Sequence, residues 1–447
     1  MSAQASSTLD TMAPRRDVTA AQWPIVSADA SDHIGIFCFL NSVFRGPSRG
    51  EFRTSLEDPL YQPADRLLAK EGERVVGHVQ VLHRTMQLET LRAPVAQLDW
   101  LGTAPGRRGR GLGTQLVRTA ESRMIKSGAL AGWVRTPSPR FFRRLGWTVC
   151  GRHSQSCGDA RRVLSVLIDK GLPTARRRAK LHIRPWLLWE LGALTRLYQE
   201  SIRGLVGSYE RTEAYWRWLV ERHGFDELYV AIDGPELIDM DEQKAPVVGY
   251  AAIKGEQILE LAASPEKPAV AMALLARACR DAIEAGRQGV LLHAPPDAPL
   301  HGVFREAGGQ YRCPVADDGD VFMTRVFQPP ALLRRMHDVL LRRAAVAGLP
   351  PALKLGFLVG KRRFLLDFAQ GRLHVAKRKP ARNTVELSAD DFTRMLLGQL
   401  DWEQALAEQS VLPHTARAER FAQALFPAAD FWRSPLDDVT RDQENPY

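Results

Sequence analysis

The chain has little of what marks secreted, membrane-spanning or metal-binding proteins. Its 447 residues include only five cysteines, an odd number with no Cys-x-x-Cys pair, which indicates neither a disulfide framework nor a zinc site. No run approaches eighteen uncharged apolar residues, and the N-terminus lacks the charged and then apolar pattern of a signal peptide. We therefore expect a cytoplasmic protein with no membrane span and no bound metal.

Acidic residues are also in deficit. Lys and Arg number 61 against 51 Asp and Glu, which gives a formal net charge of +10. The excess is scattered, and its short clusters at residues 176–178 and 361–363 have no interleaved aromatic residues of the kind that bind nucleic acid. We expect no nucleic-acid partner, because an anionic cofactor explains part of the excess and solvated surface arginine explains the rest.

The most informative stretch is a strand, then a loop rich in glycine and arginine, then a helix. Residues 95–101 alternate as a strand does and place Gln97, Asp99 and Leu101 on one face. Residues 112–124 have apolar side chains at helical spacing. The loop between them reads R-G-R-G-L-G at residues 108–113, and its glycines let backbone approach a ligand at a helix start whose first N–H groups are unpaired. The pattern predicts a diphosphate site, yet it fits neither the dinucleotide fingerprint nor the P-loop.

The loop has the form R-x-x-G-x-G and resembles the acetyl-CoA loop of the GNAT N-acetyltransferase superfamily. A second segment, F-F-R-R-L-G-W at residues 141–147, is similar to the family's F-Y-x-x-x-G-F segment near the acyl thioester. The resemblance implies acetyl-CoA as acyl donor and a direct attack by a primary amine in a ternary complex. The residues that would contact acetyl-CoA are Leu101, Gly102, Thr103, Arg108, Gly109, Arg110, Gly111, Leu112, Gly113, Thr114 and Phe142.

The chain also resembles itself. The segment R-V-V-G-H at residues 74–78 recurs as P-V-V-G-Y at 246–250, and F-R-R-L-G at 142–146 is echoed by F-R-E-A-G at 304–308. An amphipathic helix lies between the marks in both copies, which indicates a duplicated fold. The second copy's loop, residues 263–268, contains neither glycine nor arginine, so we expect that copy to be degenerate and not to bind a diphosphate.

These patterns predict an α/β (α+β) chain of two tandem GNAT-like mixed-sheet domains and a further α+β domain. The predicted limits are a mobile tail at 1–27, the acetyl-CoA-binding catalytic domain at 28–168, a linker at 169–185, the degenerate copy at 186–328 and the last domain at 329–447. Segments such as Phe431-Trp432 and Asp437-Asp438 resemble the sterol-carrier-protein-like end of the Eis-type (enhanced intracellular survival) acetyltransferases. That resemblance also implies a homo-oligomer.

The catalytic residues are predicted less directly. Eis-type enzymes use a tyrosine as general acid, and Phe142 occupies that position here. They use the terminal carboxylate as base, which would be that of Tyr447, while Asp99 on the central strand is an alternative. The predicted acceptor is a small-molecule or peptide amine: an aminoglycoside, a polyamine or a lysine side chain. The competing hypothesis is a non-catalytic acyl-CoA or lipid-binding protein that has lost its general acid.

Overall fold

The computed structural model describes residues 23–171, 181–234, 246–313, 320–377 and 380–438. The strands in these ranges are β1 Ile25–Ser27, β2 Arg66–Glu71, β3 Arg74–Leu88, β4 Leu91–Thr103, β5 Ala131–Thr136, β6 Thr148–Arg152, β7 Gln155–Asp159, β8 Leu181–Pro185, β9 Val206–Tyr209, β10 Glu227–Asp233, β11 Val247–Lys254, β12 Gln257–Ala263, β13 Gly289–His293, β14 Gln310–Arg312, β15 Val321–Val326, β16 Leu353–Val359, β17 Arg362–Ala369, β18 Arg372–Lys377, β19 Thr384–Leu387 and β20 Val411–Pro413.

The helices in the same ranges are α1 His33–Phe44, α2 Arg49–Leu56, α3 Leu112–Lys126, α4 Pro139–Arg143, α5 Ala160–Asp169, α6 Leu191–Ser201, α7 Glu213–Glu221, α8 Pro268–Glu284, α9 Leu300–Glu306, α10 Pro329–Arg335, α11 His337–Val346, α12 Ala389–Leu396, α13 Trp402–Ala407 and α14 Ala416–Leu425. None of these helices is both long enough and apolar enough to cross a bilayer.

The first sheet has the strand order β1-β2-β3-β4-β5-β15-β6, with β9 beside β3. Helix α3 packs its buried apolar side chains against this sheet: those of Leu112, Leu116, Val117, Ala120 and Met124. The helix lies so close to β3 that a Cβ on Gly77 would come within 3.1 Å of both leucines. Glycine at this position is therefore a packing requirement.

The second sheet has the order β14-β7-β13-β12-β11-β10-β8 and repeats this contact. A Cβ on Gly249 of β11 would lie 2.6 Å from Val270 and 3.1 Å from Leu274 of α8. The repeated segments 142–146 and 304–308 also match in conformation, because Gly146 and Gly308 both have a positive φ, 84° and 75°. The predicted duplication and mixed-sheet fold are confirmed.

The two copies exchange strands. Strand β7 comes from the first copy's part of the chain but lies between β13 and β14 of the second sheet, and β15 from the second copy lies between β5 and β6 of the first. Each sheet is therefore complete only with a strand from the other copy. The range 28–168 includes β7, which pairs in the second sheet, and the range 186–328 includes β9 and β15, which pair in the first.

Three other sequence expectations need correction. The sequence by itself predicts two successive strands at residues 74–82 and 85–91, but β3 runs without a break from Arg74 to Leu88 and turns at Glu89, whose φ is 56°. The predicted linker includes β8, which pairs with β10, and residues 172–180 lie outside the described ranges. The predicted tail includes β1, which pairs with β2.

The C-terminal region contains a third sheet, β18-β17-β16-β19-β20, with α10–α14. Its apolar core is continuous with side chains of the first sheet such as Trp133 and Phe322. The chain then returns between the two copies, where Phe431 stacks on Trp133 with ring centroids 5.7 Å apart. A Cβ on Gly151 or on Gly207 would lie 2.5 Å from the Phe431 ring, so two glycines make room for it.

This packing predicts the effect of a single methyl group. Gly151→Ala forces Phe431 out of its position, and overpacking of this kind costs about 1–3 kcal/mol of the free energy of unfolding. Gly289→Ala is the matched control, because Gly289 is also in a strand and its added Cβ meets its nearest neighbour at 3.4 Å. Urea midpoints should fall for the first variant and change little for the second; equal midpoints would contradict the proposed packing.

Candidate active site

The first sheet opens beside its central strand. Strands β4 and β5 are parallel and pair from Val95 with Ala131 to Leu98 with Val134, after which both continue but no longer pair. A bulge in β4, where Trp100 has φ 48°, accompanies the separation. The opening lies at the carboxyl ends of two parallel strands, the usual place for a ligand in a sheet of this kind.

Neutral His78 holds the bulge. Burial, and then the charge of Arg66, lower the pKa of His78 to about 3, so the imidazole is uncharged at neutral pH. Its Nδ1 lies 2.9 Å from the carbonyl oxygen of Trp100, and its Nε2 lies 3.4 Å from an Arg66 nitrogen. The neutral ring therefore donates from Nδ1 and accepts at Nε2, which fixes the backbone at the bulge.

The glycine loop adjoins the opening. Gly109 and Gly111 have φ values of 74° and 84°, which glycine adopts at little cost. Gly111 directly precedes α3, and no side chain caps the helix, so the first N–H groups of the helix, those of Leu112, Gly113 and Thr114, are free of intrahelical partners. The side chain of Leu112 is buried, so only its backbone can reach a ligand. These N–H groups and the helix dipole suit the oxygens of a diphosphate.

The arginines of the loop differ in availability. Arg107 is held by an ion pair with Glu71, with N–O distances of 2.6 and 2.8 Å. Arg108 and Arg110 are exposed, and Arg108 makes only a long 3.4 Å contact with the carbonyl of Thr103. These two side chains can reach phosphate groups at the loop.

The strand residues predicted to run beside the cofactor lie at the opening. Leu101 and Thr103 are partly buried, and Gly102 is buried. A Cβ on Gly102 would lie 2.9 Å from the Phe44 ring, so this glycine allows α1 to pack against β4. Their backbone groups lie where β4 no longer pairs with β5.

Phe142 points away from the loop. Its side chain is 3% exposed and belongs to the core beneath α3, where its ring packs edge-on against Trp147 at 5.6 Å. The neighbouring ring of Phe141 is the one near the loop, since a Cβ on Gly113 would lie 3.6 Å from it.

The second copy has no comparable loop. Its helix α8 begins at Pro268, and proline has no N–H to offer a ligand.

A small cavity of about 30 Å³ lies on the other side of the bulged strand. We call it the central cavity. It is lined by Ser55, Asp58, Gln80, Leu82, Arg84, Gln97, Leu98, Asp99, Arg135, Trp218, Arg222, Asp437 and Asp438. The wall thus combines β3 and β4 of the first sheet with α7 and the end of the described chain.

The carboxylate of Asp437 is held by ion pairs and hydrogen bonds to neighbouring side chains. Its side chain and that of Arg211 are both 0% exposed, and they are joined by contacts of 3.0 and 3.1 Å. Arg211 also donates to both oxygens of Glu260 at 2.8 and 2.7 Å, and the Tyr215 hydroxyl donates to Asp437 at 3.3 Å. This carboxylate is therefore structural.

The carboxylate of Asp438 is not bonded in the way that the carboxylate of Asp437 is. The side chain of Asp438 is 4% exposed and lies 3.7 Å from Arg135, but neither oxygen accepts a hydrogen bond. Burial raises its pKa; Arg135 and Arg433 oppose that shift, while Asp437 and Asp99 add to it. A buried carboxylate with free lone pairs and a raised pKa, in a cavity, is a candidate proton acceptor.

Of the two residues predicted to be catalytic, only Asp99 is among the residues that the structure describes. Asp99 lines the central cavity, and its carboxylate accepts a 3.0 Å hydrogen bond from the Trp100 N–H at the bulge. Tyr447 lies outside the described residues. Sequence reasoning missed Asp438 as a site residue, although the pair Asp437-Asp438 was noted; only the return of the chain between the copies brings it to Asp99.

Comparisons with known proteins agree with this geometry. A family described as "Acetyltransferase (GNAT) domain" matches residues 25–150, which include the loop and the opening; enzymes of this family transfer acyl groups from acyl-CoA. No curated protein matches the chain. The sterol-carrier-like assignment of residues 329–447 stays a prediction.

Solved structures extend the likeness beyond the family match. A GCN5-related N-acetyltransferase from Anabaena variabilis is 15% identical, with a TM-score of 0.71 over 92% of this chain and 99% of that one. One from Kribbella flavida is 17% identical, with a TM-score of 0.68 over 92% and 97%. Eis1 from Mycobacterium abscessus is 16% identical, with a TM-score of 0.63 over 92% and 99%. These values show a shared fold, and residues 25–150 also match the sequence model of the acetyltransferase (GNAT) domain.

Proposed function

We propose that the protein transfers an acetyl group from acetyl-CoA to the primary amine of a small molecule, by direct attack in a ternary complex. One observation carries the proposal: the glycine loop and the carboxylates of the central cavity lie on two sides of the same bulged strand end. A donor held at the loop and an amine held by Asp99 and Asp438 would meet at the bulge. Positioning of this kind supplies much of the rate in such reactions.

The loop residues would hold the donor. The N–H groups of Gly111, Leu112, Gly113 and Thr114 would bind the diphosphate, with Arg108 and Arg110 beside them. The backbone of residues 101–103 would run beside the pantetheine arm, where an N–H polarises the carbonyl. Acetyl-CoA, when bound, supplies an activated acetyl group.

The cavity residues would handle the proton. As the amine nitrogen bonds to the acetyl carbon, the carbon–sulfur bond breaks and the nitrogen loses one proton. We assign that proton to Asp438, with Asp99 orienting the amine. Because a thiol has a pKa of about 8.5, the thiolate is a tolerable leaving group and can take its proton from water. Phe142 lies in the core, and the ring near the loop, that of Phe141, has no hydroxyl, so neither residue can protonate the thiolate. A missing general acid would slow the reaction by about 10²- to 10⁴-fold without preventing it.

The loop is tested by Gly111→Glu, which puts a carboxylate where the diphosphate would lie. Gly128→Glu is the matched control at the other end of α3, since Gly128 has a φ of 88° and open space around it. Both variants carry the same backbone strain, of about 1–3 kcal/mol. Calorimetry should show acetyl-CoA binding lost only in the first; equal affinity in both would contradict a cofactor site at this loop.

The base is tested by two variants in a thiol-release assay with a panel of amines. Asp438→Asn should lower kcat by about 10²- to 10⁴-fold, whereas deletion of residues 439–447 should leave kcat within about threefold. The opposite pattern would assign the base to the carboxylate of Tyr447.

The raised pKa of Asp438 also predicts a pH dependence of stability. Because the folded state binds this proton more tightly than the unfolded state, the contribution of Asp438 to stability falls as pH rises from about 3.9 toward the raised pKa. The difference in unfolding free energy between the wild type and Asp438→Asn should shift in favour of the variant over that range. A difference independent of pH would contradict the buried, uncompensated carboxylate.

The second candidate is an acyl-CoA-binding protein without turnover, which the absence of a tyrosine hydroxyl at both Phe141 and Phe142 favours. It predicts that acetyl-CoA binds and that no amine releases thiol.

A further inference from the structure

The central cavity is not an acidic cavity. Four carboxylates line it, those of Asp58, Asp99, Asp437 and Asp438, together with the guanidiniums of Arg84, Arg135 and Arg222. Asp58 is paired with Arg84 and Asp437 with Arg211. The buried side chains of Arg66, Arg211 and Arg433 lie behind the wall, with Glu260. No excess of negative charge is left for an acceptor with several ammonium groups.

Arg222 is the cation of this wall that is least compensated. It donates to the carbonyl oxygen of Leu436 and lies over the Trp218 ring at 4.5 Å. Its Nε is buried and has no hydrogen-bond partner, and no carboxylate of the described residues lies within salt-bridge distance. Asp437 is near enough to favour the charged form, but that carboxylate is already bonded to Arg211 and Tyr215.

Arg222 and Asp438 both line the central cavity. Arg222 lies over the Trp218 ring, and Asp438 lies 3.7 Å from Arg135. A ligand in this cavity would therefore meet both an acceptor for its amine proton and a guanidinium.

We infer that the acceptor is a small amine that also carries a carboxylate, as an amino acid does, and that Arg222 binds the carboxylate. The inference rests on the proposed function, because it names the substrate class of the same site. A planar guanidinium with free N–H groups pairs well with a carboxylate, and inside a cavity such a pair is strong. Polyamines and aminoglycosides would bring further positive charges toward Arg84, Arg135 and Arg222.

The test measures thiol release from acetyl-CoA by the full chain with paired amines. Each pair consists of an amino acid and the amine formed by its decarboxylation, such as alanine with ethylamine or 4-aminobutyrate with propylamine. Spermidine and kanamycin serve as polycationic probes. At least one amino acid should exceed its partner and both polycations in kcat/KM by about tenfold or more.

Arg222→Gln should then reduce the ratio of kcat/KM between the amino acid and its partner by about ten- to a hundredfold, chiefly through KM of the amino acid, and Arg222→Lys should reduce it less. Arg217→Gln is the control on the same helix, because Arg217 is 61% exposed and pairs only with Glu213. Melting temperature and acetyl-CoA affinity report whether each variant is folded, and the lysine variant retains the charge if the glutamine variant is not.

The outcomes are distinct. Equal turnover of amino acids and their decarboxylated partners, or a ratio that Arg222→Gln leaves unchanged, contradicts the carboxylate-bearing acceptor and leaves the acetyltransferase proposal in place. Failure of every amine to release thiol contradicts the proposed function and the acceptor with it.

Discussion

The buried side chain of Arg211 connects three parts of the molecule. It follows β9 of the first sheet, binds Glu260 on β12 of the second sheet, and binds Asp437 in the returning C-terminal segment. The rings of Tyr198 and Trp216 lie 3.9 and 4.6 Å from its guanidinium. A guanidinium taken out of water is tolerable only when it is so fully paired, and removal of one partner would cost about 3–5 kcal/mol. The position of Asp438, the next residue, depends on this ion pair.

The strand exchange also holds the two copies together. Because β15 lies between β5 and β6 and β7 lies in the second sheet, neither copy can move far from the other without loss of ladder hydrogen bonds. The degenerate copy has no glycine loop, but it supplies Glu260 on β12, Tyr215 and Trp218 on α7, and Arg222 directly after α7. Its role in this account is to build one wall of the central cavity.

The sequence predicted what local chemistry determines. The glycines at 109 and 111 take positive φ at a helix start, and the repeat of strand and helix was visible at Gly77 and Gly249. It did not predict the exchange of β7 and β15, because a buried strand has the same pattern in either sheet. It missed Arg222 and Asp438 for a related reason: Arg222 directly follows α7 and Asp438 lies in the returning C-terminal segment, and only tertiary packing brings them to Asp99. The ring of Phe142, expected at the cofactor, lies in the core because its helix turns that side toward Trp147.

The central claim is that a donor at the glycine loop and an amine at Asp438 meet across one strand. The most direct measurement follows an isotopically labelled acetyl group by mass spectrometry, with labelled acetyl-CoA, the full chain and a mixture of primary amines. The account predicts the label on the nitrogen of one class of amine, with free CoA formed in equal amount. Bound acetyl-CoA with no label transferred, or free CoA with the label only in acetate, would contradict it.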